Sequence, residues 1–378
     1  MTAAPTPAPR LNSPLRALLV IVFLYLFLGG VKLLESGIKG LGADYTDALF
    51  ESVSNPLAGL FVGVLATVLV QSSSVTTATI VGLVASGVLT VEAAVPMIMG
   101  ANIGTTITNT IVALAHVRNS EEFRKAFVAA TMHDFFNLIA VAILFPIELL
   151  TGWLSSAAQW LAEVISGGEV LGGEFDSPIK SAVKWLSGLV TDGVNAVISN
   201  PTVAAVIAIV IGIGLIFATL ALITRNMRML VATRIERSIN AVLERSGMIG
   251  MVVGVIVTVS VQSSSITTSI LIPLVASGVL LVRSAYPITL GANVGTTVTG
   301  LLAALGAGAV SGLTIALVHT LFNVSAIALL YPWKRIRYVP VAMAEWLAGV
   351  AVRRKTVALG YVVALFIVLP LVGIVVLR

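Results

Sequence analysis

The stretch Gln71-Ser72-Ser73-Ser74 occurs again as Gln262-Ser263-Ser264-Ser265, and each copy precedes the same small polar cluster: Gly100-Ala101-Asn102-Ile103-Gly104-Thr105-Thr106, then Gly291-Ala292-Asn293-Val294-Gly295-Thr296-Thr297. From Gln71 to Thr106, 22 of 36 positions match the segment beginning at Gln262, at a constant offset of 191. The sequence around both copies is apolar. Amide and hydroxyl groups are costly inside a membrane and persist there when they line a site. Such a chain is expected to fold as two related halves around one polar centre.

Of 378 residues, 58% are hydrophobic and 10% charged, with mean hydropathy +1.05. A soluble domain carries about 25% charged residues, so this is read as an integral membrane protein. The net charge of +5 comes without a basic patch interleaved with aromatics, so nucleic acid is not an expected partner. No cysteine is present, which excludes disulfides and thiolate chemistry. His116, His133 and His319 are scattered, so no transition-metal site is expected. An enzyme reading fails because there is no Gly-x-Ser-x-Gly and the serines have no His at a recognisable spacing. Met1–Pro9 lacks the basic start of a signal peptide and reads as a short disordered tail.

A helix needs about 20 residues to cross the hydrocarbon core. Ala17–Leu34 is long enough. Leu57–Val70 and Val75–Val88 reach only mid-membrane and meet at the first Gln-Ser-Ser-Ser, which predicts a re-entrant hairpin. Val91–Met99 and Ile107–Ala115 flank Gly100–Thr106 as one broken crossing, and Ala126–Ile147 is a full one. Met248–Val261 and Ile266–Leu281 predict a second hairpin. Pro287–Leu290 and Val298–Leu305 predict a second broken helix, and Leu313–Tyr331 a crossing. Val203–Ile223 and Val357–Leu377 add two more. The divisions are a tail (1–14), a first transmembrane helix with its connection (15–55), repeat 1 (56–148) and an extracellular segment (149–201). A transmembrane helix with a basic cytoplasmic segment (202–246), repeat 2 (247–332), and a basic cytoplasmic segment with the C-terminal crossing (333–378) follow.

Basic loops face the cytoplasm. Arg10 and Arg16 put the N-terminus inside. Arg118, Arg124 and Lys125 fall inside by the same count, as do Arg225, Arg228, Arg234, Arg237, Arg245, Lys334, Arg335 and Arg337. Glu163, Glu169, Glu174, Asp176 and Asp192 fall outside, with Lys180 and Lys184. Hairpin one then enters from outside and hairpin two from the cytoplasm. The expected fold class is an all-α polytopic membrane protein of the cell (inner) membrane. Its repeats have inverted topology, each with a re-entrant helical hairpin and a broken transmembrane helix.

At mid-membrane the second half of each hairpin and of each broken helix would start together. Four helix N-termini, with free N–H groups and positive dipole ends, would make an anion site without buried Arg or Lys. Hydroxyls of Ser72, Ser73, Ser74, Thr105, Thr106, Ser263, Ser264, Ser265, Thr296 and Thr297 can donate to an oxyanion such as phosphate. Carbonyls ending the first halves, with the amide oxygens of Gln71, Asn102, Gln262 and Asn293, suit Na⁺, as do Thr67 and Thr258 four residues before each Gln. Na⁺ beside phosphate offsets its charge and links the two movements. The plain alternative for Ser, Thr and Gly is close helix packing. The paired occurrence of both motifs weighs against it.

Other residues read less sharply. His133 and His319 hold matching positions, each four before an Asn, and suit either a helix-anchoring pair or a pH-sensitive gate. Asp134 suits a further cation or a paired carboxylate. Glu92 and Arg283 fall at matching turns facing water, and Arg225–Arg245 reads as a surface helix meeting anionic headgroups, with a regulatory element as the alternative.

The paired motifs resemble the type II sodium/phosphate cotransporter family (solute carrier family 34 and its bacterial relatives). Ile107-Thr108-Asn109-Thr110-Ile111-Val112-Ala113-Leu114, Phe123-Arg124-Lys125-Ala126-Phe127 and His133-Asp134-Phe135-Phe136-Asn137 add to the likeness. The resemblance implies Na⁺-driven symport of inorganic phosphate by alternating access, with both glutamine-serine motifs at the core site. Asn102, Thr105, Thr106, Asn293, Thr296, Thr297 and Thr299 would come from the broken helices. It implies no cofactor beyond Na⁺ as coupling ion, with phosphate, sodium and lipid as partners and a homodimer left open. The same scaffold moving another oxyanion or using protons, and a non-transporting phosphate sensor, are the competing expectations.

Overall fold

The fold is that of a computed structural model, which describes residues 13–41, 55–167, 178–242 and 247–377. Every element among them is helical. The chain opens with α1 (Ser13–Leu41), then the short pair α2 (Pro56–Val70) and α3 (Ser73–Ala85). Next come α4 (Val91–Gly104) and α5 (Ile107–Leu114), together long and apolar enough to cross a membrane, and the long α6 (Ser120–Thr151). The helices α7 (Trp153–Ile165) and α8 (Pro178–Val197) precede α9 (Pro201–Val242). A second short pair, α10 (Gly247–Val261) and α11 (Ser264–Ala276), leads to α12 (Val282–Ala307) and α13 (Val310–Leu330). After α14 (Val339–Arg353), the last crossing joins α15 (Lys355–Val363) to α16 (Leu369–Leu377) through a π-helical turn, Ala364–Val368. Among the described residues, 7 spans are long and apolar enough to cross a membrane. The chain is a multi-pass, all-α membrane protein. The tail expected at 1–14 lies outside the described residues apart from its last two, as does Arg245.

Local chemistry sets these boundaries. Asn55 caps α2 by accepting from Leu57 N at 3.0 Å, and Pro56 fits the first turn. Asn119 caps α6, whose end at Gly152 takes the left-handed conformation with φ 60. Buried Glu148 then accepts from Leu154 N (2.6 Å) and Ser155 N (3.1 Å), starting α7.

The glycines of the repeated clusters serve packing. A Cβ on Gly100 would run into the carbonyl oxygen of Leu60, and one on Gly63 into that of Met97. Gly291 and Gly254 repeat this against Met251 and Ile288. Small residues four apart (Gly100/Gly104, Gly291/Gly295) thus bring α4 onto α2 and α12 onto α10 at backbone contact. This corrects the expected second broken helix: α12 runs unbroken through Gly291–Thr297. Glycine there admits a close neighbour without disturbing the helix ladder. The first break is also slight. Thr105 and Thr106 keep right-handed helical dihedrals, and their N–H groups donate to Ala101 O and Ile103 O.

Helix ends are tied in pairs. The helices α1 and α9 run antiparallel, with Arg16 reaching Met229 Sδ (3.0 Å), Gly30 against Gly212 and Gly40 against Ala205. Asn55 Nδ2 donates to Leu377 O (3.2 Å), Lys355 Nζ to Val117 O (2.6 Å) and Ser311 Oγ to Val84 O (3.3 Å), while Arg283 lies 5.2 Å from the Tyr338 ring. Two stretches read as connections are packed helices. Tyr25 of α1 donates to Ala182 O of α8 (2.8 Å), and α14 buries Val341, Ala344 and Leu347 on the side that meets α6. Charge also enters the core, where Glu35, 2% exposed, is bridged by Lys32 (2.7 Å) and Lys39 (2.8 Å).

Candidate functional site

The two glutamine-serine motifs fold into corners with the same dihedrals and hydrogen bonds. Gln71 (φ 57) and Gln262 (φ 54) are the only described non-glycine residues with left-handed backbone. Each ends one short helix, and the next serine starts the following one: Ser72 Oγ accepts from Val75 N, and Ser263 Oγ from Ile266 N, both at 3.3 Å. A left-handed non-glycine residue costs about 1–2 kcal/mol, and such strain gathers at functional sites. The amide is what glycine could not supply. Gln71 Nε2 donates to Val68 O (2.6 Å) and its Oε1 accepts from Thr108 (3.2 Å). Gln262 repeats both bonds with Val259 O (2.7 Å) and Thr299 (3.1 Å).

Both corners open into one cavity of about 680 Å³. Val70, Ser72, Ser74 and Val75 line it from the first repeat, and Gln262, Ser263 and Ile266 from the second. Residues of α9 complete the wall, among them Phe217, Thr224 and Arg225.

A buried amide network joins the two repeats. His133 Nε2 donates to Asn293 Oδ1 (2.7 Å), Asn293 Nδ2 to Asn137 Oδ1 (2.8 Å), and Asn137 Nδ2 to Asn102 O (2.7 Å). Asn323 Nδ2 reaches Asn293 O at 3.3 Å, mirroring the Asn137 bond. Asp134 is fully buried. Its Oδ2 accepts from Tyr361 (2.9 Å) and Thr110 (3.4 Å), and its Oδ1 has no partner among the described residues.

The family model described as Na+/Pi-cotransporter matches residues 26–165 and 215–352, which cover both corners, the amide network and Arg225. The chain belongs to the Na+/Pi-cotransporter family. It is 34% identical to human sodium-dependent phosphate transport protein 2B over 94% of this chain and 64% of that protein. Against the bovine protein 2B it is 35% identical over 94% of this chain and 64% of that one. Against the rat protein 2A it is 33% identical over 96% and 69%. The chain therefore spans less than two thirds of the human and bovine relatives. No solved structure matches.

In this member of the Na+/Pi-cotransporter family, the residues expected at the site divide by what their side chains do. Ser72, Ser74, Gln262 and Ser263 share the cavity. Ser73 and Ser264 are buried in the first turns beside it, Ser265 is half-buried, and Thr296 donates to Ser264 Oγ at 3.0 Å. Thr105, Thr106 and Thr297 instead donate back to carbonyls of their own helices, at Ala101, Ile103 and Val294. Thr67 Oγ1 is buried without a partner among the described residues, whereas its mate Thr258 donates to Thr267 (2.8 Å). Asn102 Nδ2 donates to Ile98 O (3.0 Å), and Asn293 is spent on His133 and Asn137. Of the four expected helix N-termini, the one in α12 is absent because that helix runs unbroken, whereas those at Ser73, Ser264 and, after Thr106, Ile107 are present. Thr108, the mate of Thr299, was reachable through the offset of 191 but was not singled out. Thr224 and Arg225 lie just past the apolar run Val203–Ile223, so hydropathy alone leaves them outside the crossing.

Proposed function

We propose that the chain is a secondary active transporter carrying inorganic phosphate in symport with Na⁺ by alternating access. The observation that carries this reading is the single cavity into which the corners of both repeats open. Two helix N-termini with serine hydroxyls suit an oxyanion held without a salt bridge, so that it can leave again. The relatives' names speak of sodium-dependent phosphate transport, and the amide oxygens and helix-end carbonyls of the corners suit a hard monovalent cation. Asp134 is a candidate seat for a further cation, since the described partners of its carboxylate, Tyr361 and Thr110, are both hydroxyls.

We further propose inverted repeats with a cytoplasmic N-terminus in the cell membrane. In support, the start of α2 is tied to the far end of the last crossing (Asn55 to Leu377). The start of α10 instead lies against Tyr331, where α13 ends beside the basic residues Lys334 and Arg335. The two short pairs then enter from opposite faces, and the cavity opens on the face of Arg16 and Arg225.

The test is uptake of labelled phosphate by proteoliposomes of the pure protein. Accumulation that collapses when choline replaces Na⁺ is the expected result. Uptake driven equally well by a proton gradient, or competed fully by sulfate, would move the reading to another ion pair. Binding without accumulation would leave a sensor.

A further inference from the structure

We infer that Arg225 recruits phosphate at the cavity mouth and sets the apparent affinity for phosphate on that membrane face alone. The inference rests on the transport reading above. Of the 13 described residues lining the cavity, Arg225 alone is charged. It is exposed, and among the described residues it has no ion-pair or hydrogen-bond partner. It continues a stripe on α9 that lines the same wall: Phe217 lies about two turns before it, Leu220 and Ala221 about one turn, and Thr224 next to it. Met229, one turn beyond, also lines the cavity and receives a bond from Arg16. A second guanidinium is thereby drawn to the rim.

The division of labour follows from electrostatics. The serine corners hold no cation, so their attraction for an anion is short-ranged and falls away within a turn of the helix ends. A guanidinium at a water-filled mouth acts over about 8–10 Å, concentrating anions without trapping them. Because the cavity opens on one face, only exchange with that face passes Arg225. The opposite face does not require it.

The experiment uses full-length protein in proteoliposomes of known orientation, with initial rates of phosphate entry measured from each face at saturating Na⁺. Arg225→Gln is expected to raise the half-saturating phosphate concentration on the Arg225 face by about 3- to 10-fold and to leave the opposite face unchanged. Arg225→Lys should restore most of the affinity, and the difference should shrink as ionic strength rises. An equal change on both faces would overturn the inference, because a general packing defect acts without sidedness. So would an effect that vanishes in pure phosphatidylcholine vesicles, since Arg225 would then be a headgroup anchor. Transporting wild type that Arg225→Gln matches on both faces defeats the inference alone. Wild type that moves no phosphate defeats the symport reading and the inference together.

Discussion

His133 Nε2 lies 2.7 Å from Asn293 Oδ1, a hydrogen bond between α6 of the first repeat and α12 of the second. It is the first link of a relay that continues through Asn137 to the backbone of Asn102. The sequence makes Asn102 and Asn293 equivalents, yet their side chains are used differently: Asn293 spends both amide atoms across the repeat boundary, and Asn102 donates within its own helix. Removing a buried partner costs about 1–3 kcal/mol. Asn293→Ala should therefore lower the unfolding temperature in detergent markedly, while Asn102→Ala should lower it by less than half as much. Equal losses would mean that the relay does not join the halves.

The two glutamine corners separate backbone strain from side-chain chemistry. Gly in place of Gln71 or Gln262 relieves a left-handed residue worth about 1–2 kcal/mol but deletes the amide that meets Thr108 or Thr299. Gln262→Gly should fold with unchanged or higher thermal stability and lose most phosphate uptake. Gln262→Ala should lose both. Uptake near wild type in the glycine variant would reduce the corner to a turn.

How much of this was legible follows from which interactions are local. The short helices, their stop at the serine motif and the long crossings came from lengths and patterning. Capping by Ser72 and Ser263 is a matter of three residues. The role of the GANxG clusters was harder, because a glycine pair four apart reads equally as a break or as a packing surface. Only the neighbour decides: Leu60 O against Gly100 and Met251 O against Gly291 show packing. Arg225 was read as a surface charge because nothing in its own segment shows that α9 walls a cavity made by residues far away in sequence. The buried Lys32–Glu35 pair, which exposed Lys39 bridges from the edge, escapes a sequence reading for a similar reason, since its burial depends on the contacts of α1 with α9 and α12.

The packing reading of those glycines has its own test. Gly100→Ala puts a methyl group into the Leu60 carbonyl, which is backbone and not the end of a flexible side chain. Overpacking of this kind costs about 1–3 kcal/mol, so expression and unfolding temperature should fall. Gly360→Ala is the control, since a Cβ there meets nothing within 4 Å inside α15. It should be neutral or stabilising by up to about 1 kcal/mol. Similar behaviour of the two variants in thermal unfolding would remove the argument that these glycines set helix spacing.

Asp134 gives the sharpest prediction about coupling. Its carboxylate receives hydroxyls from Tyr361 and Thr110, while its other oxygen is buried without a partner among the described residues. Tyr361 sits just before the π-helical turn Ala364–Val368, a feature often found at functional sites. A buried acid lacking a cationic side chain is costly as an anion, which a transported cation would offset. Asp134→Asn keeps the shape and the oxygen acceptor but removes the charge. The variant should therefore fold at least as well as wild type. Uptake should show a weaker and less cooperative dependence on Na⁺, with the Hill coefficient lowered by about one if one ion seat is lost. Tyr361→Phe, which removes a donor to the carboxylate and leaves its charge, should change the Na⁺ dependence less. An Asp134→Asn protein with wild-type Na⁺ titration would assign the carboxylate to holding α6 against the last crossing.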